Sequence, residues 1–261
     1  MRHFKLTIAY DGTDYHGWQI QSGNPTIQSA ITDVLRRLTQ ESIGLHGAGR
    51  TDAGVHALGQ VAHFCTRSVL GAPEFQRACN ALLPPAIRIV AAEEVGPDFH
   101  ARRSACGKTY CYRLYRGRVV PPAHWRYVLH YPFPLDEACM AAAAARFTGS
   151  HDFASFAAST GSEEDDRERT TLREIYSAEL RRAEHEPEEL HFTVRGHSFL
   201  RYMVRKMTGT LLDIGRARLQ PEDIDRLFLL RDRSRSGPTV PPQGLCLVSV
   251  EYPEPWKLGP S

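Results

Sequence analysis

The segment GAGRTDAGVH, residues 47–56, holds the residue types best suited to chemistry. Its three glycines allow backbone conformations with positive φ and the close approach of a ligand. Arg50 and Asp52 lie two residues apart, and a nearby cation keeps a carboxylate ionised and fixes its direction. A nucleophile or a general base needs both properties. The segment indicates Asp52 as a candidate catalytic residue with Arg50 beside it, whereas an ordinary turn with a solvated ion pair is the alternative.

Two further side chains, Tyr110 and Arg205, are candidates on predicted elements of regular structure. Tyr110 lies in the strand-like segment KTYCYRLY and offers an aromatic face and a hydroxyl for proton transfer. The alternative is a tyrosine of a strand core. Arg205 lies in RYMVRKMTG, on the side of a predicted helix opposite Met203 and Met207. Arg201, four residues earlier, shares that side, and a pair of solvated cations is the alternative there.

Metal and phosphate-loop chemistry find little support in the sequence. His46, His56 and His63 are accompanied by no acid or thiol at the spacing of metal ligands, so no metal site is expected. The chain contains neither the P-loop pattern nor the glycine pattern GxGxxG. Its six cysteines form no CxxC pair and are expected to be free thiols.

Composition is that of a globular protein. A length of 261 residues suggests one large domain or two small ones. The apolar fraction of 42% and the charged fraction of 24% exclude a wholly disordered chain. No apolar run approaches the ~20 residues that span a bilayer. The opening segment MRHFKLTIAYDG lacks the features of a secretory signal, and we expect a cytoplasmic protein.

Positive charge is concentrated in two stretches, although the net charge is only +2. Between Phe99 and Leu135 there are seven basic residues and no Asp or Glu, and between Arg195 and Arg235 ten Lys or Arg face five acids. Of the 32 basic residues 28 are Arg, whose planar guanidinium suits phosphate, although the codon usage of a GC-rich genome gives the same bias. The clustering favours a surface that binds a polyanion such as a nucleic acid.

The apolar pattern predicts the elements that carry these residues, with alternation for strands and a period of 3.6 for helices. In the first half it predicts strands at 5–10, 60–66 and 87–95, and helices at 26–40 and from 73 to 83. In the second half it predicts strands at 108–115, 172–182, 190–195 and 245–252, helices at 135–147, 199–211 and 221–230, and a polar loop at 150–169. Asp52 therefore falls in a connection between a helix and a strand.

Each half is assigned the order β-α-β-β-α-β, which is the ferredoxin-like order. Such connections give mostly antiparallel sheets with helices on one face, so the predicted class is α+β with two halves of one topology. We expect an N-terminal domain at 1–104 that carries the Asp52 loop and a C-terminal domain at 105–261 that carries the Tyr110 strand and the Arg205 helix. A cleft between two such sheets is a natural ligand site, and we expect a central catalytic cleft.

Six segments along nearly the whole chain carry a joint motif pattern. In order they are AYDGTDYHGWQIQ, GRTDAGVHALGQVAHF, PDFHARRSACGKTYCYRLY, HDFASF, RGHSFLRYMVRKMTG and GLCLVSVEY. Together they strongly resemble the tRNA pseudouridine synthase A family. By this resemblance the family's catalytic Asp is Asp52 and its neighbouring Arg is Arg50, the conserved Tyr is Tyr110, and the Arg of the MVR block is Arg205. The acidic stretch 161–168 is a poor match to the family.

The resemblance implies an isomerase that converts uridine to pseudouridine at positions 38, 39 and 40, in the anticodon arm of tRNA. The reaction changes no oxidation state and uses no energy source, so no cofactor is implied. The implied partners are tRNA and a second copy of the chain in a homodimer. Asp52 is implied as the nucleophile at C1′, and removal of the 2′ proton to give a glycal stays open as its alternative role.

The target base is stacked inside an RNA arm and has to be flipped out. Tyr110 is expected to bind the flipped base by stacking and to help remove the C5 proton. Arg205 is expected to reach the cleft and pair with Asp52. Two other functions stay open at this point, a non-catalytic RNA-binding relative and a glycosylase that removes the base.

Overall fold

The computed structural model describes residues 1–157 and 170–253. Its elements in the first part of the chain are β1 (Arg2–Tyr10), α1 (Ile27–Thr39), β2 (His46–Gly47), β3 (His56–Thr66), α2 (Ala72–Leu82), β4 (Ile87–Val95) and β5 (Gly107–Tyr115). In the later part they are β6 (Leu129–His130), α3 (Glu137–Ala145), β7 (Gly149–Asp152), β8 (Leu172–Arg182), β9 (Glu189–Gly196), α4 (Met203–Gly215), α5 (Asp223–Leu230) and β10 (Leu245–Glu251). Short 3-10 helices lie at Ala154–Phe156 and Pro242–Gly244.

The chain forms two compact units. Unit 1 contains residues 1–108 together with the residues from Cys246 onward, and unit 2 contains residues 109–245. The first boundary falls near the expected one at 104/105. The last strand differs from the expectation, because the domain predicted at 105–261 included it, whereas β10 belongs almost wholly to unit 1. Its residues Cys246 and Leu247 pair with β3, which ties this segment to the first sheet.

The sheet of unit 1 runs in the order β4-β1-β3-β10, with β2 paired to β3. β1 is antiparallel to both of its neighbours, and β10 is parallel to β3. Phe4 and Phe64 face each other across β1 and β3, and the ring of Phe75 from α2 packs edge-on against both, with centroids 4.9 and 5.2 Å away. All three rings are fully buried. Burial of each such ring stabilises the fold by roughly 1.5–3 kcal/mol and holds α2 on the sheet.

Helix α1 begins at a capping box and buries one stripe. The Thr26 side chain accepts from the Ser29 amide, and the Ser29 side chain accepts from the Thr26 amide in return. Ile27, Ile31 and Leu35 recur at the helical spacing and are fully buried. The helix therefore starts where the sequence predicts it.

The sheet of unit 2 runs in the order β5-β9-β8-β7, with β6 parallel to β5. β8 is antiparallel to both β7 and β9. An aromatic cluster fills its core, formed by Phe147, Phe153, Phe156, Phe192 and Phe228. Helix α4 is buried on nearly every side, since only Arg205 and Asp213 of its residues are partly exposed.

The α+β class and the mostly antiparallel pairing are confirmed. Unit 1 has the predicted strand and helix order because β2, only two residues long, supplies a strand that no alternation could signal. The helix predicted at 199–211 begins later, at Met203, because Tyr202 adopts φ +62° and cannot continue a helix backward. β7 lies in the predicted loop 150–169, whereas the acidic stretch 161–168 lies outside the described residues. No helix in the described ranges is long and apolar enough to cross a bilayer.

Candidate active site

The loop that carries Asp52 lies between β2 and β3 and is tied to β3 at its start. The Ala48 amide donates to the Val61 carbonyl at 2.7 Å, and Gln60 Nε2 donates to the Gly49 carbonyl at 2.9 Å. Gln60 is fully buried, and a buried amide is stable only where its polar atoms are bonded. The start of the loop therefore shares the rigidity of the sheet.

Thr51, directly before Asp52, is anchored through both its side chain and its backbone. Its Oγ1 lies 2.8 Å from the Tyr10 hydroxyl in a buried hydrogen bond, and its carbonyl accepts from the Trp18 amide at 3.1 Å. Gly17 has φ +85° and passes so close that a Cβ there would lie 2.5 Å from the Thr51 oxygen. Burial raises the pKa of Tyr10, so its phenol stays neutral in this hydrogen bond.

The residues after Asp52 turn the chain back and close the loop. The Val55 amide donates to the Asp52 carbonyl at 3.1 Å, and the Gly54 amide donates to the Tyr15 carbonyl at 3.3 Å. Gly54 has φ +76°, a conformation that favours glycine. A Cβ at Gly12 would overlap the Val55 carbonyl, which shows how closely the two segments pack. The backbone of Asp52 is thus held on both sides, and this sets the direction in which its carboxylate leaves the loop.

Asp52 itself is half-buried, and Arg50 is exposed. A carboxylate on a fixed loop that is still partly accessible can act as a nucleophile or as a general base without prior rearrangement. The guanidinium of Arg50 offers a planar fork for a phosphate or a carboxylate. The loop therefore carries a half-buried carboxylate and an exposed guanidinium two residues apart.

Tyr110 lies in β5 with its side chain 8% exposed. The ring of Phe199 packs edge-on against it, with the centroids 5.0 Å apart. Such a contact fixes the plane of the tyrosine ring, as a stacking platform requires. Tyr112, two residues on, projects from the same side of the strand, and its hydroxyl donates to the Pro241 carbonyl at 2.7 Å. The hydroxyl of Tyr112 therefore has a structural partner within its own unit.

Arg205 is the third residue of α4 and is half-buried. Its Nε donates to the Val240 carbonyl at 2.8 Å, and its guanidinium lies over the ring of Tyr202 at 4.8 Å. The guanidinium of Arg201 lies 5.0 Å from the same ring. The predicted helical pairing of Arg201 with Arg205 is wrong, because α4 begins after Arg201. The two arginines are related instead through Tyr202, whose left-handed conformation separates the turn from the helix.

The four candidate residues fall into two groups. Arg50 and Asp52 share the loop of unit 1, and Tyr110 and Arg205 belong to unit 2. The ion pair between Arg205 and Asp52 and the roles of all four side chains stay predictions. Over residues 1–157 and 170–253, no group of three or more His, Cys, Asp or Glu side chains is arranged to hold a metal ion. No disulfide joins any two of the six cysteines, all of which lie in the described ranges.

The sequence did not single out the residues that hold the Asp52 loop in place. Tyr10 and Gln60 lie 41 residues before Thr51 and 11 residues after Gly49, and only the folded sheet brings them to the loop. A glutamine at the start of the predicted strand 60–66 is the one signal, because a buried amide needs a partner. Lys206, next to Arg205, is also buried and carried no signal beyond its place in an apolar helix.

Comparison with known proteins decides the family. The profile of the family described as "tRNA pseudouridine synthase" matches residues 6–102 and 143–253. The chain belongs to the tRNA pseudouridine synthase family. Its matched segments include the Asp52 loop and helix α4, whereas Tyr110 lies between them.

Curated relatives of this family member match along almost the whole chain. A protein of Solibacter usitatus named tRNA pseudouridine synthase A is 46% identical over 252 residues, which cover 97% of this chain and 100% of that protein. The tRNA pseudouridine synthase A 1 of Desulfotalea psychrophila is 46% identical over 256 residues, with the same two shares. The tRNA pseudouridine synthase A of Moorella thermoacetica is 45% identical over 250 residues, 95% of this chain and 98% of that protein. The resemblance carried by the six motifs is confirmed.

Proposed function

We propose that this protein isomerises uridine to pseudouridine in tRNA, at positions 38, 39 and 40 of the anticodon arm. The observation that carries the proposal is the anchored loop of unit 1, which holds the backbone of Asp52 between Thr51 and Val55 in a chain of this family. A carboxylate whose direction is fixed before substrate arrives loses little freedom on reaching the transition state.

In the proposed reaction the glycosidic bond between N1 of uracil and C1′ of ribose breaks. The Asp52 carboxylate attacks C1′ and displaces the base, which turns in the site. C5 of uracil then forms a bond to C1′ as the carboxylate leaves, and the proton on C5 is transferred to a base and finally to N1 or solvent. The alternative role of Asp52 is to remove the 2′ proton as uracil leaves C1′, which gives a glycal. C5 then adds to C1′, a proton returns to C2′, and the C5 proton is lost as in the first path. Neither reaction path changes an oxidation state, so no cofactor is proposed.

The other candidate residues take supporting roles in this proposal. Tyr110, with its ring plane fixed by Phe199, stacks on the flipped uracil, and its hydroxyl assists removal of the C5 proton. Arg50 and Arg205 supply positive charge to the carboxylate of Asp52 and to the RNA backbone. Pairing of Arg205 with Asp52 holds that carboxylate ionised and aimed at the ribose.

The proposed partner is the anticodon arm of tRNA, bound across a homodimer of this chain in the cytoplasm. The two Arg-rich stretches support a polyanion partner. Arg102, Arg103 and Arg118 of the first stretch are exposed. Exposed guanidinium groups contact phosphates, which fix the register of the RNA while base contacts select the target.

Release of tritium from tRNA transcripts that carry [5-³H]uridine tests this function. Formation of the C5–C1′ bond displaces the label into water, whereas a glycosylase frees labelled uracil and a binding protein releases nothing. We expect release by the wild-type protein and none by Asp52→Ala. We expect the affinity of that variant for tRNA to stay within a few fold, because an anion contributes nothing favourable to phosphate binding. Pseudouridine formed by the purified variant would contradict the role of Asp52.

A further inference from the structure

Lys206 is a buried ammonium group that the proposed reaction does not use. It lies in α4, directly after Arg205, with only 9% of its surface exposed. Burial, and then the charge of Arg233, lower its pKa. Removing an ammonium group from water is unfavourable unless fixed acceptors replace the water, so acceptors have to surround this group.

The Lys206 ammonium holds the segment 233–240, which follows α5 and precedes β10. Its Nζ donates to the carbonyl of Arg233 at 3.2 Å and to the carbonyl of Gly237 at 3.3 Å. The two carbonyls lie four residues apart and converge on one donor, so the segment has to curl around the end of the side chain. Lysine suits this site, because its ammonium offers three donors on a long flexible stem.

Further contacts fix the same segment against α4 and against the 3-10 helix at Ala154–Phe156. The Gly237 amide donates to Thr210 Oγ1 at 2.9 Å, and the Ser236 hydroxyl donates to the Ser155 carbonyl at 2.7 Å. Gly209 lies so close to the segment that a Cβ there would overlap the Pro238 carbonyl. Lys206 and Thr210 are four residues apart and therefore lie on one face of the helix, which is the face that the segment covers.

The far end of the segment contacts Arg205. The Val240 carbonyl accepts from Arg205 Nε at 2.8 Å, and the next carbonyl, of Pro241, accepts from the Tyr112 hydroxyl. Because a guanidinium is planar, a hydrogen bond at Nε fixes the plane and the direction of both Nη groups. The position of Val240 thus determines where the Arg205 fork points.

We propose that Lys206 is a positioning residue, which holds the segment 233–240 so that Val240 directs the guanidinium of Arg205. This inference rests on the proposed function, in which Arg205 serves Asp52. Without the Lys206 ammonium, the Gly237 carbonyl loses this donor and the Arg233 carbonyl keeps its contact with the Ser236 hydroxyl at 3.1 Å. The link between the two carbonyls is then gone, and the segment shifts to reach water. A displacement of about 1 Å in a group that orients a reacting carboxylate reduces turnover by up to ~100-fold.

The test compares Lys206→Met with Thr208→Val in the full-length protein. Thr208 is fully buried in α4, and its hydroxyl donates to the Val204 carbonyl of the same helix at 2.9 Å. For Lys206→Met we expect kcat for tritium release to fall about tenfold or more, with KM and tRNA affinity within twofold of wild type. For Thr208→Val we expect a lower melting temperature with kcat within twofold of wild type. A common fall in kcat for both variants would mean that Lys206 acts only through stability and would overturn the inference.

A double-mutant cycle with Arg205→Lys separates this inference from the proposed function. Arg205→Lys keeps the charge but loses the Nε donor and the fork, so we expect a much lower kcat with nearly normal tRNA binding. In that background Lys206→Met should change kcat by less than twofold, because the group that it positions is already gone. An equal fall in both backgrounds would show that Lys206 acts independently of Arg205.

Two other outcomes are equally decisive. If Arg205→Lys turns over at the wild-type rate, the role of Arg205 in the proposed function is wrong and the inference falls with it. If Arg205→Lys is slow but Lys206→Met keeps the wild-type kcat, the proposed function stands and the inference is overturned. Should Lys206→Met fail to fold, Thr210→Val takes its place in the same cycle, because it removes the acceptor of the Gly237 amide from the same segment.

Discussion

The backbone on both sides of Asp52 is held by hydrogen bonds from neighbouring residues, and this limits the direction of its carboxylate. Thr51 is fixed by the Tyr10 hydroxyl and the Trp18 amide, and Val55 closes the turn on the far side. Each hydrogen bond between neutral groups contributes a net stabilisation of ~1 kcal/mol. At the end of the segment, His56 Nδ1 accepts from the Gly12 amide and lies 3.2 Å from the Asp11 carboxylate. In the proposed function the charge of Asp52 is balanced by Arg50 and Arg205.

At Tyr110 the ring and the hydroxyl serve different proposed steps and can be separated. Tyr110→Phe keeps the ring against Phe199, so we expect tRNA affinity to stay near normal while tritium release slows or stops. Tyr110→Leu also removes the stacking surface, and base–aromatic stacking contributes roughly 1–3 kcal/mol. We therefore expect tRNA affinity to fall about five- to 150-fold for the leucine variant. Filter binding and single-turnover tritium release measure the two effects.

Tyr115→Phe is the matched control, since it removes a hydroxyl from the same strand. That hydroxyl bonds to the Glu188 carboxylate, within unit 2 and away from Phe199. We expect tritium release by this variant at the wild-type rate. Normal turnover by Tyr110→Phe would remove the proton-transfer role and leave stacking as the sole function of Tyr110.

Among the elements, the connection between β1 and α1 packs against the Asp52 loop and restricts the position of its backbone. Gly17, in this connection, has φ +85°, and a Cβ there would press on the Thr51 carbonyl. For Gly17→Ala we expect a fall in kcat for tritium release together with a loss of stability, because Thr51 has to move and Asp52 moves with it. Strain at a positive φ alone costs about 1–2 kcal/mol.

Gly23→Ala provides the control for this strain. Gly23 has φ +77° in the same connection, and a Cβ there would meet nothing within 4 Å. We expect this variant to lose a similar amount of stability from the backbone and to keep the wild-type kcat. Equal kcat values for the two alanine variants would show that the Gly17 contact does not position the loop.

Two histidines, His63 and His100, join β3 to the turn at 100–104. His63 Nδ1 accepts from the Ala101 amide at 3.1 Å, and His100 Nδ1 accepts from the Arg102 amide at 3.1 Å. Both rings are therefore neutral acceptors, and they lie 4.6 Å apart with His46 stacked beside His63. Burial, and then the neighbouring His100 and His46, lower the pKa of His63 to about 4.

The lowered pKa of His63 predicts a loss of stability in acid. In the unfolded chain a histidine takes up its proton near pH 6.5, whereas the folded protein resists protonation of His63 down to about pH 4. The contribution of neutral His63 to the free energy of unfolding should be fully present above pH 6.5. The free energy of unfolding should then fall by about 3 kcal/mol as the pH drops to 4. In His63→Asn the amide oxygen can still accept from Ala101 but does not titrate. Urea unfolding from pH 7 to 4 should give a flatter curve for this variant, and parallel curves would contradict the assignment.

The elements differ in how much the sequence reveals of them. Strand β1 and helix α1 of unit 1 follow clear periods because one face of each is buried, as with Phe4, Leu6 and Ile8 in β1, whereas β3 is buried on both faces. β2 has two residues and no period to detect. The start of α4 depends on Tyr202, which adopts φ +62°, a backbone conformation that no pattern in the sequence predicts.

The candidate site shows the same division. Glycines around a charged pair pointed to Asp52, because chemistry restricts residue type locally. Tyr10 and Gln60 come to the loop through strand register, which local sequence does not encode. No local pattern in MVRKMTG predicts that Lys206 is buried. Its burial follows from the segment 233–240, which covers it.

At the scale of the whole molecule, the charge pattern predicts how tRNA binding responds to salt. Two cations of the acid-free stretch are already neutralised, since Arg113 bonds to Glu189 and Arg116 to Glu137. Exposed residues such as Arg118 are left to contact phosphates, and each such contact releases a counterion. A plot of log affinity against log salt concentration should therefore fall steeply for tRNA. Arg118→Ala should make the slope shallower by about one unit.

Arg77→Ala is the control. It removes an exposed cation of α2 that pairs with Glu74, outside both Arg-rich stretches, and should leave the slope unchanged. A nearly flat plot for the wild-type protein would refute an interface dominated by phosphate contacts, and equal slope changes for the two variants would show that the Arg-rich stretches do not form that interface.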